Sequence, residues 1–120
     1  MSKDTVVIGA SPSEEKYGYK ATVSLKRHGH KVYPVGIKSG KIEDLDIITE
    51  RPSIQNIDTV TLYVGPQNQD GWKEYIYSLK PKRIVFNPGT ENEEFEAEAR
   101  SKGIEAVEAC TLVMLSIGNY

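Results

Sequence analysis

Residues Val6 to Tyr19, VVIGASPSEEKYGY, constrain the fold more than any other stretch of the chain. A β-branched apolar run stops at Gly9, turns through small and polar residues, and then enters a helical pattern. Strand, glycine turn and helix in that order belong to parallel-sheet proteins, in which the positive end of the helix faces the crevice at the carboxyl edge of the strands. The stretch therefore predicts the nucleotide-binding turn of a small Rossmann-like domain. It is not a complete G-x-G-x-x-G, because Gly9-Ala10-Ser11-Pro12-Ser13-Glu14 keeps only the first glycine. The same residues also read as a helix start, with Ser11 as cap, Pro12 at the first helical position and Glu14 completing a capping box. The two readings are compatible. Glu14 and Glu15 then oppose the positive helix end, so a phosphate here would be held by backbone N–H groups around Ala10 and Ser11, by the Ser11 hydroxyl and by Lys16.

The rest of the chain supplies alternating strands and helices. Thr5 to Ile8 is a buried strand, and Gly18, Ala21, Thr22 and Leu25 recur at helical spacing until His28-Gly29 ends that helix. The helix has a small inner face, and Gly18 is placed to let it sit close on the first turn. Lys31 to Val35 is a second strand that Pro34 places near a free edge or at a strand end, followed by the glycine loop Gly36 to Gly40. Asp46 to Thr49 reads as a short edge strand and Ser53 to Ile57 as one helical turn. Asp58 to Val64 is a strand ending at Gly65-Pro66, and Trp72, Tyr75, Ile76 and Leu79 mark a helix that Lys80-Pro81 terminates. Arg83 to Phe86 is a strand ending at Asn87-Pro88-Gly89. Thr90 and Glu93 have the spacing of a capping box for an acidic helix to about Lys102, after which come a strand at Ile104 to Val107 and a helix from Thr111 to Ile117. Short connections between such elements predict an α/β, three-layer Rossmann-like fold with a mostly parallel sheet of five or six strands, the 120 residues forming a single domain.

Composition narrows the function. A net charge of −2 gives no basic field for nucleic acid. No apolar run approaches the roughly 20 residues that cross a bilayer, and MSKDTVV lacks a signal-peptide layout, so neither nucleic acid nor membrane is expected as a partner and a cytoplasmic location is. One cysteine and two histidines offer no disulfide and no convincing metal cluster. His28 and His30 fall at the amino edge of the sheet, away from the crevice, and Glu91, Glu93, Glu94, Glu96 and Glu98 read as a solvated helix face. With no acid–base or nucleophile pair in view, no catalytic residue is assigned.

The end of the second strand bears on the ligand. An NAD site wants a carboxylate there for the ribose hydroxyls, whereas this chain offers Val35-Gly36-Ile37-Lys38. The positive charge favours a phosphorylated ribose, as in coenzyme A or NADP. A lysine in a glycine loop is also a common solvated residue, and Gly65-Pro66 and Asn87-Pro88-Gly89 taken alone are ordinary turns. Cys110 follows the last strand and reads first as a buried, inert thiol.

Taken in order, Val7-Ile8-Gly9-Ala10-Ser11-Pro12, Val32-Tyr33-Pro34-Val35, Arg51-Pro52-Ser53-Ile54 and Asn87-Pro88-Gly89 resemble the small stand-alone CoA-binding domain proteins, which are similar to the CoA-binding domain of the succinyl-CoA synthetase alpha subunit. The resemblance covers nearly the whole chain. It implies that the turn from Gly9 through Ala10, Ser11, Lys16 and Tyr17 wraps the CoA phosphates, with Lys38 matching a synthetase lysine after the second strand. It also implies that Val64-Gly65-Pro66 and Asn87-Pro88-Gly89 flank the adenosine and pantetheine portions, with Cys110 near the site. Gly36-Ile37 departs from the Asn-Pro that many relatives carry after the second strand. The synthetase phosphohistidine lies in a further domain, so ligase activity does not carry over. The expected function is binding of coenzyme A or an acyl-CoA as a non-catalytic or regulatory module. The alternatives are an NADP-binding oxidoreductase or redox sensor, and an accessory protein-interaction domain with a vestigial nucleotide site; the sequence names no protein partner.

Overall fold

A computed structural model describes residues 2–120. Thr5–Ile8 (β1), Val32–Val35 (β2), Thr59–Leu62 (β5), Arg83–Phe86 (β6) and Glu105–Glu108 (β7) form a five-stranded sheet in the order β2-β1-β5-β6-β7. Every pairing in it is parallel. Lys41–Ile42 (β3) and Leu45–Asp46 (β4) make a separate antiparallel hairpin. The helices are Tyr17–Arg27 (α1), Asp70–Ser78 (α2), Glu93–Ser101 (α3) and Thr111–Ser116 (α4).

Alternation along the strands decides which helix covers which face. Val6, Ile8, Val60, Leu62, Ile84 and Phe86 share a core with Trp72 and Ile76 of α2 and Phe95 and Ala99 of α3. Val7 and Val85 point the other way, into a core with Leu25 of α1 and Met114 and Leu115 of α4. Phe86 and Phe95 are both fully buried, their rings edge to face at 5.3 Å and 88°, an arrangement worth roughly 0.5–1.5 kcal/mol beyond the area it buries.

Local chemistry sets the element ends. α1 closes in a Schellman motif: Gly29 takes φ +84°, its N–H reaches the Lys26 carbonyl at 3.0 Å, and the His30 N–H reaches the Leu25 carbonyl at 3.1 Å. β2 is an edge strand, and Pro34 suits it. The Pro34 carbonyl accepts from the Ile48 N–H at 2.8 Å on the outer side, so the donor that proline lacks is missing where no ladder runs.

Three local expectations are corrected. Asp46 to Thr49 is not one strand: Asp46 closes the hairpin, while Ile48 makes a single parallel bridge to Val35. Ser53 to Ile57 contains no helical turn; Tyr75 Oη instead donates to the Pro52 carbonyl at 2.8 Å, tying this loop to α2. Thr90 does not cap α3. Asn92 does, accepting the Phe95 N–H at 3.1 Å while Glu96 reaches back to the Asn92 N–H at 3.0 Å, because the Thr90 hydroxyl is committed to the Asn87 carbonyl at 2.8 Å. Glu96 is consequently buried rather than part of a solvated face.

Candidate functional site

In the strand order, β1 lies between β2, reached through α1, and β5, reached through the hairpin. The chain thus leaves the sheet centre in opposite directions on the two sides of β1, and the crevice beyond the carboxyl ends of β1 and β5 is where such sheets take ligands. A cleft of about 810 Å³ opens there, inside the usual range for small-molecule sites.

Glycines bring its walls together. Gly9 adopts φ +97°, and a Cβ on it would lie 2.7 Å from the Tyr63 carbonyl oxygen, so only glycine lets β1 turn against the end of β5. A Cβ on Gly18 would lie 2.6 Å from the Gly9 carbonyl oxygen, which is the close helix approach expected of that residue. A Cβ on Gly36 would collide with the Ala10 carbonyl oxygen, so the loop after β2 is pressed against the same turn.

The turn itself is built differently from the sequence expectation. The Gly9 and Ala10 N–H groups both donate to the Val35 carbonyl at 3.0 Å, so the Ala10 amide is spent on the sheet edge and does not face the cleft as a free donor. Ser11 to Lys16 is not helical: the Ser11 hydroxyl accepts the Ser13 N–H at 3.2 Å, and the helix starts at Tyr17 with Lys16 in the cap position. Pro12 and Glu14 therefore do not occupy helix-start positions. The helix start with free amides comes later in the chain, at Tyr17. The Lys20 N–H is the first of α1 to find a helical partner, the Lys16 carbonyl at 3.1 Å, which leaves the N–H groups of Tyr17, Gly18 and Tyr19 without a protein acceptor among the described residues. The first turn of α1 contains no acidic residue; Glu14 and Glu15 are exposed and lie just ahead of its Lys16 cap.

The cleft gathers Gly9, Ala10, Ser11, Lys16 and Tyr17 on one wall with Lys38 from the loop after β2. Val64, Gly65, Pro88 and Gly89 line it from the loops after β5 and β6. Three residues singled out in the sequence lie outside the lining. Pro66 opens a 3₁₀ turn over Pro66–Asn68, of which Asn68 and not Pro66 reaches the lining. Asn87 is 1% exposed and structural: its amide donates to Thr61 Oγ1 at 2.7 Å and the Leu62 carbonyl at 2.9 Å, and its oxygen accepts the Thr111 N–H at 2.9 Å. Cys110 is half-buried at the cap position of α4.

Other lining residues gave little signal. Ile37 and Tyr17 are large apolar side chains 87% and 63% exposed at the mouth, where Ile37 reads in sequence only as the neighbour of a lysine. Trp72 lines the cleft although its spacing marks it as core, and it does both. Tyr63, the residue after β5, is in the lining; burial, its largest influence, holds the phenol well above the ordinary value of 10, so it stays a neutral hydroxyl. The far wall is fixed by Gln69, which is fully buried. Its amide donates to the Val64 and Thr90 carbonyls, each at 2.8 Å, and its oxygen accepts from the Asn92 amide at 2.9 Å. One side chain thus joins the loops after β5 and β6 to the cap of α3.

Fold and cleft together define a nucleotide-binding α/β module. Residues 3–116 match the family model described as CoA binding domain, and the chain belongs to that family. No curated protein matches it. Among solved structures it is similar to a protein titled only as uncharacterized, at 53% identity over 100% of this chain and 99% of the other, with a TM-score of 0.97. A hypothetical protein from Pyrococcus horikoshii OT3 matches at 26% identity over 97% of this chain and 83% of its own, TM-score 0.83. A dinucleotide-forming acetyl-coenzyme A synthetase from Ca. Korarchaeum cryptofilum, described in complex with phosphate and ADP, shares the fold at 22% identity and TM-score 0.71 over 90% of this chain but 26% of the synthetase. No helix among the described residues is long and apolar enough to cross a membrane.

Proposed function

We propose that the 120-residue chain acts as a single module that binds coenzyme A or an acyl-CoA in the cleft beyond β1 and β5. The observation that carries this reading is the meeting at one end of the cleft of Tyr17 and Gly18, whose amides have no protein acceptor among the described residues, with Lys16 and Lys38 in the same lining. Backbone donors at a helix start plus two cations suit a ligand carrying several phosphates. Exposed Ile37 and Tyr17 beside them offer apolar surface for a base. The remaining length, from Val64 to Thr90, is uncharged and suits a neutral arm.

The family match supports CoA over NADP, whose 2′-phosphate would also suit Lys38. The titratable side chains of the lining are two lysines and two tyrosines, with no carboxylate, histidine or thiol to pair as acid and base, which supports a binding or regulatory role over catalysis. Isothermal titration with CoA and NADP in parallel tests the reading: CoA alone should bind, and heat with NADP but none with CoA rejects it. Trp72, the sole tryptophan, lines the cleft and gives an independent signal through its fluorescence.

A further inference from the structure

The two ends of the cleft differ in charge, and the difference bears on which acyl groups it accepts. At the α1 end the first turn of the helix is free of acids and Lys16 and Lys38 line the wall. At the other end the adjoining helices begin with acids: Asp70 in the first turn of α2, and Glu93, Glu94 and Glu96 in that of α3. Asp70 is paired with Lys73 at 3.2 Å and Glu96 is buried on the Asn92 N–H, which leaves Glu93 and Glu94 to offset the positive potential the α3 start would otherwise present. The lining at this end also contains a backbone donor already holding an anion: the Gly89 N–H donates to Glu91 Oε1 at 2.8 Å. Arg51 touches this end from behind, with its guanidinium 3.7 Å from the centre of the Trp72 ring and an N–H on the Gly71 carbonyl at 2.7 Å. Its face and one donor are thus committed to α2.

We infer that the cleft discriminates among acyl-CoAs by charge, accepting CoA and neutral acyl groups and rejecting acyl groups that end in a carboxylate, with Glu91 as the specificity-determining residue. The inference rests on the CoA reading above and on its orientation, phosphates at α1 and thiol end at Gly89. A carboxylate on the acyl group would arrive where Glu91 occupies the Gly89 amide and where the acidic start of α3 raises the cost of a second negative charge. Two like charges a few ångströms apart at a protein surface repel enough to weaken binding by about tenfold.

The test is titration of the wild-type chain and Glu91→Gln with CoA, acetyl-CoA and succinyl-CoA, at low and high salt. Glutamine keeps an acceptor for the Gly89 N–H but removes the charge. In the wild type, acetyl-CoA should bind within about twofold of CoA and succinyl-CoA about tenfold more weakly. The ratio of succinyl-CoA to acetyl-CoA dissociation constants should fall by threefold or more in Glu91→Gln, and should narrow in salt as the charges are screened. Equal or tighter binding of succinyl-CoA by the wild type overturns the inference while leaving CoA binding standing. A ratio unmoved by both Glu91→Gln and salt overturns the role of Glu91. If no CoA species binds, both the inference and the reading it rests on fall.

Discussion

Gly18→Ala pits helix propensity against close contact, and the structure says which wins. Alanine in place of glycine inside a helix gains at most about 1 kcal/mol, less in the first turn where Gly18 lies. Against that, the new Cβ would lie 2.6 Å from the Gly9 carbonyl oxygen, and reaching the 3.4 Å of an ordinary contact requires a shift of about 0.8 Å. The atom in the way is backbone, so no side chain can swing aside. Gly9 is itself held by φ +97° and by its N–H bond to Val35, so the helix start and the turn must part. Such overpacking costs about 1–3 kcal/mol, leaving a net loss of about 1–2 kcal/mol, seen as a fall of about 1 M in the urea midpoint followed by Trp72 fluorescence. The same shift misplaces the Tyr17, Gly18 and Tyr19 amides, and loss of one charge-assisted hydrogen bond lowers CoA affinity by tenfold or more. Gly71→Ala in α2 is the control, because its Cβ would enter open space and should leave stability unchanged or slightly raised. If Gly18→Ala is as stable as the wild type and binds CoA equally well, the close-approach argument is wrong.

Lys38→Ala should weaken CoA binding by about 1–3 kcal/mol and flatten its salt dependence, read by titration at two ionic strengths; an unchanged constant would leave Lys38 a solvated residue. Gln69→Leu strands the Val64 and Thr90 carbonyls and the Asn92 amide, so it should cost about 2–4 kcal/mol and lower the thermal midpoint by roughly 10 °C or more, and a stable variant would refute the clamp. His30 Nδ1 accepts the Lys3 N–H at 2.9 Å, which needs the neutral ring, and burial first, then His28, Lys3 and Arg83, hold it below the ordinary 6.5. The unfolded chain therefore binds the proton more readily, so this part of the stability is complete above pH 6.5 and lost as pH falls through the lowered value. Urea midpoints should drop between pH 7.5 and 5.5 in the wild type and less in His30→Gln; parallel slopes would show that His30 is not the group responsible.

The elements with strong period and clear stops were legible. Thr5–Ile8 and Arg83–Phe86 coincide with their sequence boundaries because β-branched runs buried on both faces have no other stable setting. The resemblance carried by Gly9-Ala10-Ser11-Pro12, Pro34 and Asn87-Pro88-Gly89 led to the right family. Polar residues with several possible local partners were not legible. Ser11 and Thr90 both looked like helix caps, and each instead turns its hydrogen bond into its own loop, because Val35 claims the amides beside Ser11 and Asn87 claims Thr90. Gln69 could not be found from spacing at all: its three partners are set by how two distant loops meet.

The two borders of the sheet are finished by different means. Beside β2, Ile48 exchanges backbone hydrogen bonds with Pro34 and Gly36, at 2.8 and 3.0 Å, so an incoming chain finds that margin already taken. On the opposite border, β7 starts and ends on exposed glutamates, Glu105 and Glu108, and a second copy laid alongside would set like charges against like. Lateral growth of the sheet into ribbons or fibres is thereby opposed on one side by occupancy and on the other by repulsion, which leaves the crevice edge free to serve the ligand.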